Sequence, residues 1–182
     1  MLGCWNIRGL NGSNKHKYVH DWVVKNNLKV ISLLETKVLE DNMSAVEHGL
    51  NLHAWKFLSN GIDGTAARII VGWDPGECDV QCIKMVQQLV SCKINFKQTN
   101  KCITASFVYG LHTPADRTSL WAEILMLSRV YQDQAWLLLG DFNATLKASD
   151  SKGGDVNWSG HKMEFGNCLT QAQLSPLPYK GL

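Results

Sequence analysis

The sequence predicts a mixed α/β fold with a strong antiparallel part. Segments of helical periodicity alternate with apolar runs of strand length towards both ends of the chain. The middle is a succession of short strand-like segments divided by turn residues. No repeat or low-complexity stretch interrupts the pattern.

Taken in order, residues 1–7 read as a strand. Asn11-Gly12-Ser13-Asn14 is a turn in which Ser13 or Asn14 is suited to cap a helix reaching about residue 26, with Val19, Trp22 and Val23 on one face. Residues 28–34 are nearly continuous apolar sequence, as expected of a strand covered on both faces. A second helix fits residues 40–50. Strand-like segments follow at 54–58, 67–73, 80–86, 90–96 and 103–109, separated by Asn60-Gly61, Asp74-Pro75-Gly76 and Gln98-Thr99-Asn100, which implies an antiparallel meander. Pro114 precedes a helix over 116–130 that carries Leu120, Trp121, Ile124 and Leu127 on one side. A short apolar run at 135–139 ends in Gly140-Asp141, and a last helix fits 159–173, with Ser159 as its cap.

At 182 residues, 45 % of them hydrophobic, the chain is expected to form a single domain over 1–182. Its 9 % aromatic content and net charge of +2 exclude a disordered chain. No apolar run approaches the roughly 20 residues that a membrane span requires. With 18 basic against 16 acidic residues, a nucleic-acid partner would have to meet a local patch rather than a general field. The six cysteines stand apart without a CxxC pair and read as reduced thiols. No GxGxxG or GxxxxGK[ST] is present, so a nucleotide cofactor is not expected.

Chemistry is expected where buried strands end. Val30-Ile31-Ser32-Leu33-Leu34 runs into Glu35, Trp136-Leu137-Leu138-Leu139-Gly140 runs into Asp141, and Gly3-Cys4-Trp5 runs into Asn6. In layered α/β folds, ligands gather beyond the carboxyl ends of strands. Asn6, Glu35 and Asp141 offer oxygen donors and no soft ones, which suits Mg²⁺ or Mn²⁺.

Four ordered motifs carry a family resemblance: Trp5-Asn6-Ile7-Arg8-Gly9-Leu10, Leu34-Glu35-Thr36-Lys37, Val108-Tyr109-Gly110 and Gly140-Asp141-Phe142-Asn143. Together they resemble the endonuclease/exonuclease/phosphatase superfamily, to which DNase I belongs. Trp73-Asp74-Pro75, Arg117 with Trp121, and a later helix with Met163 and Phe165 add a likeness to the endonuclease domain of plant LINE-type (non-LTR) retrotransposons. The resemblance implies a four-layer α/β/β/α sandwich of the DNase I type and Mg²⁺-dependent hydrolysis of DNA phosphodiesters. It implies DNA as the partner in an intact element, no membrane, and a monomer acting inside the cell, in the nucleus if on genomic DNA. Phosphoinositide phosphatases and sphingomyelinases share the same core.

By the same resemblance, Glu35 is the principal metal ligand with Asn6 beside it. Asp141 orients or deprotonates the attacking water, Asn143 holds the phosphate region, and Tyr109 donates its hydroxyl to a phosphate oxygen. The family's later Phe-Thr-Trp strand and Ser-Asp-His motif have no counterpart, since no Asp-His pair occurs. The resemblance therefore implies a domain lacking its C-terminal strands, with unpaired sheet edges. It also implies an impaired or inactive site, because loss of one transition-state donor costs about 10²–10³-fold in rate; the alternative is a non-catalytic remnant that at most binds metal or nucleic acid weakly. His161, at the start of a surface helix, is no substitute. His16 and His20 have a zinc-compatible spacing, but a solvated helix face is the expected reading. Lys15, Lys17, Lys25, Lys29 and Lys37 could line a basic rim near the first motif, against the plainer reading of a solvated face.

Overall fold

The computed structural model describes residues 1–62, 64–146 and 160–177. The chain divides into two compact units, one of residues 1–109 and 134–141, the other of residues 110–133 and 142–182. Among the described residues the elements are β1 (Leu2–Asn6), α1 (Ser13–Lys25), β2 (Val30–Val38), α2 (Met43–Leu50), β3 (Lys56–Ser59), β4 (Ala67–Trp73), β5 (Cys78–Val86), β6 (Leu89–Phe96), β7 (Lys101–Tyr109), α3 (Pro114–Val130), β8 (Trp136–Asp141) and α4 (Glu164–Gln171). The expected class, mixed α/β with two sheets and helices, is what the chain adopts. No helix among the described residues is long and apolar enough to cross a membrane.

The first unit contains both sheets. One has the order β1-β2-β4-β3 and the other β5-β6-β7-β8. The long run of strand-like segments is thus not one meander. β3 and β4 belong to the first sheet, β5 to β7 to the second, and the turn after Trp73 carries the chain across. Asp74 builds that turn: its carboxylate accepts from the Gly76 amide at 2.9 Å, and its backbone N–H donates to Lys29 O at 3.0 Å. Pairing is antiparallel except at two places, β1 with β2 and β7 with β8, which are parallel.

Strand β2 accounts for its own composition. Ile31 and Leu33 pack in one core with Val19 and Val23 of α1 and Val46 and Leu50 of α2, while Val30 and Leu34 join a second core with Val90, Ile94 and Phe107 of the other sheet. Both faces of β2 are dry, so an uninterrupted apolar run is needed where a one-sided strand would alternate. Each such side chain contributes about 1.5–3 kcal/mol of burial.

Several sequence expectations are adjusted. Gly12, not Ser13 or Asn14, is the N-cap of α1, and no side chain caps it. Residues 40–42 form a 3-10 turn ahead of α2. His16 is buried, with Nε2 against Leu10 O at 2.7 Å, so the His16/His20 face is not a solvated one. Its ring also fills the space over Gly49 of α2, where a Cβ would come within 2.1 Å of Nδ1.

In the second unit Thr113 caps α3, accepting from the Asp116 amide at 3.2 Å. Arg117 is buried and donates Nη1 to the carbonyls of Leu111 and His112 at 2.8 and 2.7 Å, a use internal to the fold. Phe165 of α4 stacks on both Trp121 and Phe142, at centroid distances of 5.4 and 4.7 Å. The predicted last helix starts later than expected, as α4, after a 3-10 turn over 160–162; the proposed cap Ser159 lies outside the described residues.

Asn60 links the two sheets. Its Oδ1 accepts from two successive amides of the β4 strand, Arg68 at 3.0 Å and Ile69 at 2.8 Å, and its Nδ2 donates to Val86 O and Gln87 O at 3.1 and 2.9 Å. Asn60→Ala leaves all four groups without that partner, and is expected to cost about 2–4 kcal/mol at the usual penalty for buried polar groups. Urea unfolding should show a lower midpoint with an unchanged slope. A loss below about 1 kcal/mol would mean that water replaces the amide there.

Candidate active site

Each sheet contains one parallel strand pair, and the candidate residues stand at the carboxyl ends of those pairs. Asn6 closes β1 as the register partner of Leu34, the residue before Glu35. Asp141 closes β8 as the register partner of Tyr109, the last residue of β7. The two ends meet in a side-chain hydrogen bond, Asn6 Nδ2 to Asp141 Oδ2 at 2.7 Å. The Asn6 side chain is also one of the groups that lower the Glu35 carboxyl. Its Oδ1 accepts from the Arg8 amide at 3.2 Å. Four of the five candidates, Asn6, Glu35, Tyr109 and Asp141, therefore lie in the first unit; Asn6 bonds Asp141 directly and helps lower the Glu35 carboxyl.

Glu35 does not lie past the end of its strand, as the sequence suggested. β2 runs on to Val38, with its register against β4 shifting between Leu34 and Val38. Glu35 and Lys37 have φ of 54° and 55°. Left-handed backbone at non-glycine residues costs of order 1–3 kcal/mol and collects at functional sites. The surrounding bonds hold it in place. Gly9 N donates to Glu35 O at 2.7 Å and Leu10 N to Thr36 O at 2.8 Å. Asn11 Nδ2 donates to Lys37 O at 2.7 Å, and the buried Thr36 hydroxyl donates to Ala67 O at 2.7 Å. Lys15 Nζ secures the facing turn by donating to the carbonyls of Ile7 and Arg8, each at 2.7 Å.

Lys37 reaches Glu35 Oε1 at 3.0 Å. That hydrogen bond, together with the Lys37 and Arg8 charges and the Asn6 contact, holds the Glu35 carboxyl below its usual range against an opposing desolvation. Lys37 was legible as the end of the second motif and as a member of a basic rim. Of the other residues named for that rim, Lys15 binds carbonyls and Lys29 pairs with Glu77 at 3.0 Å.

Asp141 is placed by Gly140. At φ 149°, a Cβ on residue 140 would lie 2.0 Å from Val108 O, so only glycine lets β8 approach β7 this closely. Tyr109 is 1 % exposed and belongs to the core between the sheets, its ring covered by the Arg68 guanidinium at 5.9 Å. Neither Arg68 nor Asn60 was singled out from the sequence. The available signal was a lone cation inside the apolar strand Ala67–Trp73. Burial pushes the thiol of Cys4, on β1, up to about 12, with Ser32 opposing and the Asp141 charge adding.

Asn143 lies in the second unit, at φ 48°, with Nδ2 donating to Gly110 O at 2.6 Å. His161 is exposed and pairs with Glu164 at 2.5 Å. Among the described residues no group of three His, Cys, Asp or Glu side chains is suited to a metal. The set of Asn6, Glu35 and Asp141 is all oxygen at its acceptors, with two carboxylates and one amide. It fits a hydrated hard cation, which takes one or two carboxylates and completes its shell with water.

No protein-family model and no curated protein matches the sequence. The fold is similar to that of the endonuclease domain of TRAS1, a telomere-specific non-LTR retrotransposon, with a TM-score of 0.69 and 13 % identity over 93 % of this chain and 68 % of that one. It is similar to the AP endonuclease LMAP from Leishmania major, with a TM-score of 0.70 and 13 % identity over 93 % and 65 % of the two chains. An endonuclease/exonuclease/phosphatase family protein from Bacteroides thetaiotaomicron shares the fold at a TM-score of 0.60 and 10 % identity, over 78 % and 62 %. The fold is thus of the DNase I type, and the chain spans about two thirds of the length of these proteins.

The Lys37–Glu35 bond sets a pH dependence. A carboxyl held low in the folded state contributes stability at neutral pH, lost as pH falls through the folded value. Lys37→Met brings that value back toward the unfolded one, so the variant lacks the stabilisation that the wild type holds at neutral pH and loses in acid. The gap in melting temperature between wild type and variant should be constant at neutral pH and close in acid. A gap independent of pH would assign the effect to packing.

Proposed function

We propose that this chain is a nuclease of the retrotransposon endonuclease type, hydrolysing DNA phosphodiesters with Mg²⁺ or Mn²⁺. The observation that carries the reading is the Asn6 amide bonded to Asp141 across the ends of parallel strand pairs from two sheets, with Glu35 directly after the residue paired with Asn6. The fold shared with a retrotransposon endonuclease domain and an AP endonuclease supports the same substrate class.

When bound, the divalent ion polarises the phosphate and eases departure of the alkoxide; Glu35 and Asn6 are the residues that would hold it. Asp141 orients a water for attack on phosphorus and accepts its proton, a task for a carboxylate within hydrogen-bond reach. Asn6, bonded to Asp141, fixes the direction in which that carboxylate points. The family resemblance assigns Asn143 to the phosphate region. Tyr109 offers its phenolic hydroxyl to a phosphate oxygen from the wall beside Asp141, stabilising charge that grows in the transition state. Tyr109→Phe, which keeps the ring beneath Arg68, tests that last role apart from packing.

No Asp-His pair occurs in these 182 residues, and a site acting without an imidazole donor turns over about 10²–10³-fold more slowly. The alternative reading is a non-catalytic domain that at most binds metal or nucleic acid weakly.

Conversion of supercoiled plasmid to open circles distinguishes them. Nicking in Mg²⁺ that stops with EDTA and falls at least about 10²-fold in Asp141→Ala is the expected result. A cooperatively melting protein that never nicks would support the non-catalytic reading. Nicking undiminished in Asp141→Ala would overturn the site.

A further inference from the structure

Among the described residues Arg68 is a cation without a matching anion. It lies half-buried in β4, and among the described residues its Nε has no hydrogen-bond partner although that atom is buried. Its guanidinium packs over the Tyr109 ring at 5.9 Å, and no carboxylate among the described residues pairs with it. A partly desolvated charge with an idle donor is costly unless something compensates it. The ring face supplies part of that compensation, on the order of 1 kcal/mol.

Its place is set by the local backbone. Successive residues of a regular strand point to opposite faces. Ile69 faces the core between the sheets, so Arg68 in a regular β4 would point to the helix side, yet its guanidinium lies over Tyr109, a member of the inter-sheet core. The cause is the Asn60 carbonyl oxygen, which draws the amides of both Arg68 and Ile69 to one acceptor and so interrupts the alternation. The interruption lies where Ala67 pairs with Val38, across from the Glu35-Thr36-Lys37 distortion of β2. Tyr109 in turn is the register partner of Asp141. The fold therefore turns a guanidinium out of its regular direction and sets it over Tyr109, the register partner of Asp141.

We propose that Arg68 is a substrate-binding residue that takes a phosphate of the polynucleotide backbone at the site formed by Asn6, Glu35 and Asp141, with Tyr109 as the platform that orients its guanidinium. A planar guanidinium already held against a ring loses little freedom on forming paired N–H to oxygen bonds, and phosphate is the anion its fork fits. The two carboxylates of the site repel a phosphate, and Arg68 offsets that repulsion from the inter-sheet side. The assignment rests on the nucleic-acid reading above.

The test is duplex-oligonucleotide binding in EDTA across a salt series, for wild type, Arg68→Met and Arg68→Lys, with a melting curve for each. Methionine keeps a long apolar stem on Tyr109 and removes the charge. One phosphate contact contributes about 0.9 to the slope of log affinity against log salt. The slope should become shallower by about that amount in Arg68→Met and be kept in Arg68→Lys. In wild-type protein, the Arg68 Nε–H resonance should shift on adding the same duplex, a readout that requires no variant to fold. An unchanged slope in a folded Arg68→Met, or an unmoved resonance at saturating duplex, would overturn the role of Arg68 and leave the nuclease reading standing. Wild type that binds no duplex at low salt would overturn both.

Discussion

Two carboxylates on different sheets cannot be brought to one place without something between them to offset their repulsion. In this chain the Asn6 side chain stands at that point, donating to Asp141 at 2.7 Å and helping to lower the Glu35 carboxyl. A neutral amide offers N–H donors to a carboxylate without filling the site with a positive charge. Around it, Lys37 binds Glu35 from the solvent side, and Gly140 lets β8 come close enough to β7 to bring Asp141 into range. The distorted backbone of Glu35 and Lys37 and the turn at Arg8 and Gly9 belong to the same construction. Their cost is offset by backbone bonds that repeat along residues 7–10 and 34–36.

The architecture follows from that requirement. Parallel strands end with their carboxyl termini on the same side, and one parallel pair occurs in each sheet. The antiparallel strands beside them give each pair a rigid backing, and the shared core of Val30, Leu34, Ile69, Val90 and Phe107 holds the sheets face to face. Asn60 and Thr36 then close the polar groups that the irregular ends of β2 and β4 would otherwise leave unpaired. The strands provide stiffness, and the polar side chains at their ends provide the placement that chemistry needs.

Much of this was legible in the sequence because burial has a period. The continuous apolar run at β2, the turn residues between β3 and β7 and the polar residues ending β1 and β8 all reflect which faces are dry. Asn6, Glu35 and Asp141 stood out because a polar side chain closing an apolar strand is conspicuous. The partition of the middle strands between two sheets was not legible, since antiparallel neighbours in one sheet and strands either side of a crossing turn have the same pattern. Nor was the continuation of β2 through Glu35, which depends on bonds to residues 9, 10 and 11 and to Ala67, distant in sequence from it or on another strand. Tyr109 read as a strand-end hydroxyl, but the structure buries it under Arg68, whose direction is set by the remote side chain of Asn60.

The central claim is that these strand ends form one hard-cation site that depends on both sheets. Mn²⁺ binding, followed by water-proton relaxation, tests it without requiring turnover. The account predicts one ion per chain, weakened in Glu35→Gln and in Asp141→Asn alike by at least the roughly tenfold that ligand-supporting groups command. Mn²⁺ affinity unchanged in either variant, with the fold intact, would contradict a site shared between the two sheets.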